Sequence, residues 1–528
     1  MALSYFMRVG LFKSPLKVVA AFLLRSRETQ SQRAAEHAAE MQRLQQVVQQ
    51  QTQAIANAEN ELTAANLRIA GLNRENQRLR EQPPVLPYDP PLPRHQFGPK
   101  MIALCVNLAR AIGLRASMVG LEIVFHWLQV KTPLPHWTGV RTWLMRAGVA
   151  ALEVPGEPCD DLIWLADHSN QIGPEKALVI LGVRASQLPP PGTPLRHEDM
   201  RVLTVEPGTS WKTADVSRAY AQLADKIGNP LAIVVDGACE LRDGAEILSQ
   251  RRENTLILGD FKHHAANVLK RIVGHSPLFA SFNSQVGATR SAVQQTELSH
   301  FTPPSPRSKA RFMNLAPLLT WAAMMLWQLD HPQSQARRDI THERLREKLG
   351  WLKSMEQPIA SWNACQAVVS TACTFVNEQG LAPGAADQLA TTLQSLVIGE
   401  ESQAVATQLI DFVRCSEQKL AAAKANDAKL DKISRLPMST EILESVFGRF
   451  KQLERQHSRG GFTSLLAAFG ALLKPATPES IRRDFARVSV KQMRSWVTLN
   501  LKTTLGSKRR TAYDEFKQAL RAGRIQSE

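Results

Sequence analysis

Apolar positions follow two rhythms along this chain. They recur every three to four residues first, then fall into short unbroken runs from about residue 160. Residues 1–28 mix apolar side chains with Arg8, Lys13, Lys17, Arg25 and Arg27. The apolar run over 18–24 is too short to cross a bilayer and no small-residue cleavage site follows it, so an amphipathic basic segment is expected. Over 29–82 a heptad register fits. One seam is Met41, Val48, Ile55, Leu62, Ile69 and Asn76; the other is Leu44, Gln51, Ala58, Ala65, Leu72 and Leu79. A 3.5-residue repeat keeps such positions facing a partner helix, so a parallel dimerisation coil is expected, with Asn76 favouring two strands. A lone solvated helix, or a helix folded back on its own chain, is the competing reading. The prolines of 83–99 then predict a stiff linker.

Residues 100–153 read as short helices carrying Arg110, Arg115, Arg141 and Arg146, similar in spacing to a helix-turn-helix DNA reader or to a plain packing domain. Apolar runs at 163–167, 177–183 and 200–207 predict three strands. A helix over 212–227, a strand at 231–237, a short helix, a strand at 255–260 and another helix follow. The order β-β-β-α-β-α-β-α over 154–270 implies a mixed sheet in an α/β core. Residues 271–435 lack strand runs and predict an all-α insertion. Residues 436–475 predict two helices around the glycines at 460–461, and 476–528 form a basic helical tail.

Composition narrows the partners. With 44% hydrophobic and 21% charged residues, the 528-residue chain is neither wholly disordered nor a polytopic membrane protein. Its net charge of +16 points to a polyanion, nucleic acid before membrane surface, and twelve Lys/Arg against four Asp/Glu beyond residue 480 concentrate that charge in the tail. The six cysteines form no CxxC pair, which argues against a zinc cluster or disulfide framework and for reduced thiols in a cytoplasm.

Three acids stand out by placement. Asp167 ends the first apolar strand, Asp236 ends the fourth, and Glu444 lies on a late amphipathic helix. Asp260 rivals Asp236, and Glu441 rivals Glu444. Gathered carboxylates have a physical use at a phosphodiester: they hold Mg²⁺ or Mn²⁺, hard ions that take oxygen ligands, and two such ions can serve the attacking and leaving oxygens. Their charge also offsets the repulsion between neighbouring acids.

The ordered set Asp167, Asp236 and Glu444 resembles a DDE transposase with a ribonuclease H-like core. The stretch TEILESVFGRFK resembles bacterial insertion-sequence transposases, and Lys451 falls two helical turns after Glu444, on its face. The spacing of 208 from Asp236 to Glu444 is similar to that left by the helical insertion of some members. The resemblance implies a catalytic triad of Asp167, Asp236 and Glu444 that holds two Mg²⁺ ions. It implies double-stranded DNA as partner, both element ends and target, cleaved and then joined by strand transfer. It also implies a homodimer or higher oligomer through the coil, with no stable membrane partner. A nuclease or resolvase of the same fold, and a catalytically silent DNA-binding descendant, are the alternatives.

The expected DNA contacts are Lys451, Arg449, Arg141, Arg146, Lys508, Arg509 and Arg510, with Arg307, Lys309 and Arg311 as further phosphate contacts. His168 and His264 are candidates for a supporting role beside the acids, and His263 reads mainly as a helix cap. Trp351 and Trp362 are candidates for stacking on a displaced base, whereas Trp321 and Trp327 read as core.

Overall fold

The computed structural model describes residues 15–81, 88–153, 158–169, 175–252, 255–305, 312, 315–331, 340–455 and 461–522. Arg8, Lys13, Arg307, Lys309, Arg311 and Gly460, and the side chain of Leu79, lie outside the described residues. The chain divides into two units, one built on 1–86 and the other on most of the remainder.

The first unit comprises the long helix α1 (Pro15–Glu81) and, by the same division, His126–Lys131. The helix α1 runs through residue 28 without a break, so the expected boundary there is absent. Its 67 residues contain no interior proline, and ~1.5 Å per residue makes it roughly 100 Å long. The seam residues Met41, Leu44, Val48, Ile55, Leu62, Ile69 and Leu72 are all exposed.

In the second unit the proline-rich stretch is a cap as well as a connection. Asp89 accepts hydrogen bonds from the backbone N–H of Lys100 (3.0 Å) and Met101 (2.8 Å), the first turn of α2 (Pro99–Ile112). Two of that helix's orphan donors are thereby satisfied. Helices α3 (Leu114–Trp127) and α4 (Trp137–Glu153) follow. From Trp143 to Ala150 every residue of α4 is buried, so α4 is not a free recognition helix. It lies against a 3-10 segment, Ser464–Leu472, where an α-helix was expected. Gly148 and Gly470 bring the two backbones together: a Cβ on Gly148 would stand 2.2 Å from the Ala467 carbonyl oxygen.

The sheet is mixed and five-stranded: β1 (Leu162–His168), β2 (Lys176–Arg184), β3 (Arg201–Gly208), β4 (Ala232–Val235) and β5 (Leu256–Gly259), in the order β3-β2-β1-β4-β5. The hairpin pairs β2 with β1 and β3 are antiparallel; β1, β4 and β5 are mutually parallel. Helices α5 (Thr213–Ile227), α6 (Cys239–Arg252) and α7 (Phe261–Ile272) connect and flank them. Trp164, Ile180, Tyr220, Leu223 and Ile233 form the core on the α5–α6 face. The parallel strands are short and buried on both sides, the reason they read as continuous apolar runs.

Between α7 and α15 (Glu441–Glu454) the described residues are mainly helical: α8 (Pro277–Val293), α9 (Ala316–Asp330), α10 (His342–Leu349), α11 (Glu356–Gln379), α12 (Ala385–Leu393), α13 (Glu400–Asn426) and α14 (Ala428–Asp431). Phe279, Phe282 and Trp362 pack together in its core. The chain then returns to the sheet. Leu381 and Leu436 form a two-way backbone bridge (2.7 and 2.9 Å), and Phe261 N–H donates to the Met438 carbonyl at 2.8 Å. α16 (Pro478–Arg487), α17 (Val490–Asn500) and α18 (Leu505–Arg521) complete the chain. All six cysteines are free. Among the described residues no helix is long and apolar enough to cross a membrane.

Candidate active site

Strand register places the acids. Ala166 of β1 pairs with Val235 of β4, and Val235 pairs with Gly259 of β5. The next residue on each strand is an aspartate: Asp167, Asp236 and Asp260. Three carboxyl groups therefore stand in a row across the carboxyl ends of three parallel strands, where open α/β sheets present ligand crevices. Asp260 sits beside Asp236 as a further member of the row.

Each aspartate is held differently. Asp167 is buried and hydrogen-bonds to Asp236; burial, then the Asp236 charge, push its carboxyl well above the usual range. Asp236 accepts from the Ala238 backbone N–H at 2.7 Å, which fixes its turn. Asp260 caps α7 by accepting from Lys262 N–H at 2.9 Å. It also accepts from Thr440 Oγ1 at 2.7 Å and contacts His263 Nδ1 at 2.5 Å. Thr440 immediately precedes α15, so one buried carboxylate ties the start of α7 to the start of the late helix.

That tie delivers Glu444. Its Oε2 accepts from Lys262 Nζ at 3.0 Å, and its Oε1 lies 3.9 Å from His263 Nε2. Glu441, one turn earlier, accepts from the same ammonium at 2.8 Å. Burial would lower the Lys262 pKa, but the two glutamates outweigh it and raise it. Burial likewise would lower His263, yet the Asp260 carboxylate, with Asp167 and Asp236 beyond it, raises it to about 9. His263 is thus an imidazolium among four acidic side chains, Asp167, Asp236, Asp260 and Glu444. Reading it as a helix cap missed this; the available signal was its spacing of three from Asp260, which turns both side chains to one helix face. A cleft of about 330 Å³ opens here, lined by Asp236, Asp260, His263, His264, Phe412 and Lys419.

The other predicted residues divide. His168 ends β1 with its Nε2 3.5 Å from Glu240 Oε1, and burial holds its pKa below the ordinary value. His264 lines the same cleft and stacks on Phe412, ring to ring at 4.2 Å, and burial lowers its pKa too. Lys451 lies two turns after Glu444 and is half-buried, while Arg449 is exposed. Lys508, Arg509 and Arg510 are exposed on the first turns of α18. Glu175, buried, accepts from Phe462 N–H (2.7 Å) and Leu505 N–H (2.6 Å) and so anchors that helix. Arg141 is half-buried and donates to Ser464 Oγ at 2.6 Å.

Three expectations are corrected. Arg146 is buried, its guanidinium donating to the carbonyls of Phe485 and Val488 and lying 4.1 Å over the Phe485 ring, so it fastens α16 instead of reaching outward. Trp362 is 2% exposed and belongs to the aromatic core, out of reach of a base. Trp327 is 51% exposed instead of core; Trp321 is buried, donating to the Phe301 carbonyl at 2.8 Å. Trp351 is half-buried and donates to Thr289 Oγ1 at 2.9 Å.

The aspartate row fits a hard divalent cation in its donor set: oxygen ligands only, Asp167 and Asp260 buried and Asp236 half-buried, with Asp167 and Asp236 mutually repelling unless a proton or cation lies between them. Among the described residues no three His, Cys, Asp or Glu side chains are gathered closely enough to form a finished metal shell. Glu444 is turned to Lys262.

No family model matches the chain, and no curated protein matches it. Among solved structures it is similar to the Drosophila P element transposase strand transfer complex, at 12% sequence identity and a TM-score of 0.33, over 74% of this chain and 92% of that one.

Proposed function

We propose that this chain is a metal-dependent DNA transposase of the DDE type, with Asp167, Asp236 and Glu444 as its acids on a ribonuclease H-like core interrupted by a helical insertion. The observation that carries the reading is the row of carboxyl groups one residue past a shared rung on β1, β4 and β5, with α15 returned beside it by the Asp260–Thr440 bond. Mg²⁺ or Mn²⁺ would be held by Asp167 and Asp236, completed by Glu444, and would supply the Lewis acidity and charge neutralisation that phosphodiester cleavage requires.

The chain's own groups then have defined work. The Ala238 N–H orients Asp236. Asp260 and Thr440 hold α15 in register. His263 keeps positive charge among the acids, which limits their repulsion and offers a cation to a phosphate oxygen. Arg449 and Lys451, on α15 itself, and the exposed Lys508, Arg509 and Arg510 would position DNA by its phosphates. The exposed seam of α1 would pair two chains, which suits joining two DNA ends.

Lys262 holding Glu444 also favours a second reading, a DNA-binding protein of this fold without chemistry. Cleavage separates the two. Duplexes drawn from the sequences flanking its gene would be incubated with the protein in Mg²⁺ or Mn²⁺, and precut ends with target plasmid. Cleavage and joining by wild type, with loss in Asp167→Asn and Glu444→Gln and retained binding, is the expected result. Full cleavage by both variants, or none by wild type on any bound duplex, would sink the assignment.

A further inference from the structure

Glu441 and Glu444 meet one ammonium but are not held alike. Glu441 is bonded from both sides: Lys262 Nζ donates to Oε1 at 2.8 Å, and Asn377 Nδ2 donates to Oε2 at 2.7 Å. Glu444 has one close donor, Lys262 Nζ at 3.0 Å; its other oxygen stands 3.9 Å from His263 Nε2, beyond hydrogen-bond range. The backbone N–H of Lys262 is bonded to Asp260 Oδ1 in the first turn of α7, which fixes the point from which its side chain reaches the two glutamates. Glu441 and Asn377 also line a cavity of about 510 Å³.

We propose that Lys262 is a positioning residue that sorts the two glutamates. It keeps Glu441 as a fixed counter-ion and Glu444 as a releasable one, surrendered toward Asp167 and Asp236 when a divalent cation binds there. This rests on the metal-site reading above. The physical ground is competition for one carboxylate. A dication beside two aspartates attracts Glu444 more strongly than an ammonium shared between two acids. Glu441, clamped by Asn377, remains behind to neutralise Lys262. In the sequence these glutamates, one helical turn apart, differ only in that Lys451 follows Glu444 by two turns; what each is bonded to is decided by the tertiary structure.

Competition predicts shifts of opposite sign. Lys262→Met removes the rival cation and a like charge near the site, and should tighten Mn²⁺ binding about tenfold. Glu441→Gln leaves the ammonium to Glu444 alone and should weaken Mn²⁺ binding about tenfold. Lys262→Arg retains the charge and should stay near wild type. A merely structural role for the cluster would move the first two variants in the same direction.

The test is Mn²⁺ binding to the full chain without DNA, read from the electron paramagnetic resonance signal of free Mn²⁺. Asp236→Asn serves as the control for the site itself, and circular dichroism checks folding. Opposite shifts for Lys262→Met and Glu441→Gln are the expected result. If Asp236→Asn abolishes binding while those two variants leave it unchanged, or shift it alike, the sorting role is overturned and the metal site stands. If Asp236→Asn leaves Mn²⁺ binding intact, the metal site and the sorting role both fall.

Discussion

Replacing His263 by Gln should change how stability depends on pH. The imidazole is 27% exposed; burial acts to lower its pKa, but the Asp260 carboxylate at 2.5 Å and the charges of Asp167 and Asp236 raise it to about 9. In the unfolded chain its value is about 6.5. A gap of about 2.5 corresponds to roughly 3 kcal/mol in favour of the folded, protonated state. Because the folded pKa is the higher one, that stability is fully present below pH ~6.5 and is lost as pH rises through about 9. The assay is thermal unfolding of wild type and His263→Gln in a chelator, from pH 5.5 to 10. If the second unit melts together, the gap between the two melting temperatures should shrink by roughly 3–4 °C between pH 6.5 and 9.5. A gap independent of pH, or widening toward alkaline pH, would refute the placement of a charged His263 among the acids.

Four further outcomes follow from named residues. Arg146→Ala should destabilise the second unit by about 3 kcal/mol or more, since it leaves the Phe485 and Val488 carbonyls without their buried donor; Arg449→Ala should leave melting unchanged but reduce the salt slope of DNA binding by about one. Gly148→Ala forces a methyl onto the Ala467 carbonyl and should lower the melting temperature sharply, by several degrees, whereas Gly139→Ala, with open space at its Cβ, should not. Ile55→Asp with Leu62→Asp places charge in the exposed seam of α1, and light scattering should report a smaller assembly than wild type; an unchanged mass would exclude this seam as the contact.

The legible part of the molecule was whatever depends on local period. The apolar runs marked all five strands, most plainly β1, β4 and β5, because buried parallel strands have no polar face to interrupt them. The 3.5-residue repeat marked α1 because a helix with so few aromatics still shows its stripe. Asp167 and Asp236 were legible for the same reason, each being the first polar residue to end a buried apolar run. What no period could encode is who meets whom. Asp260 joins the row only because β5 pairs with β4 in one particular register. Arg146 reads as a surface cation by its flanks, yet α16, more than 300 residues later, covers it and takes its guanidinium. Trp362 and Trp327 carry the same side chain in similar apolar company, and opposite exposures follow from which helices close over them. Glu441 and Glu444 differ through Asn377 on one side and His263 on the other. Local sequence sets backbone habit and polarity; the energy that separates a structural acid from a working one comes from burial and nearby charge, and those exist only after distant segments have packed.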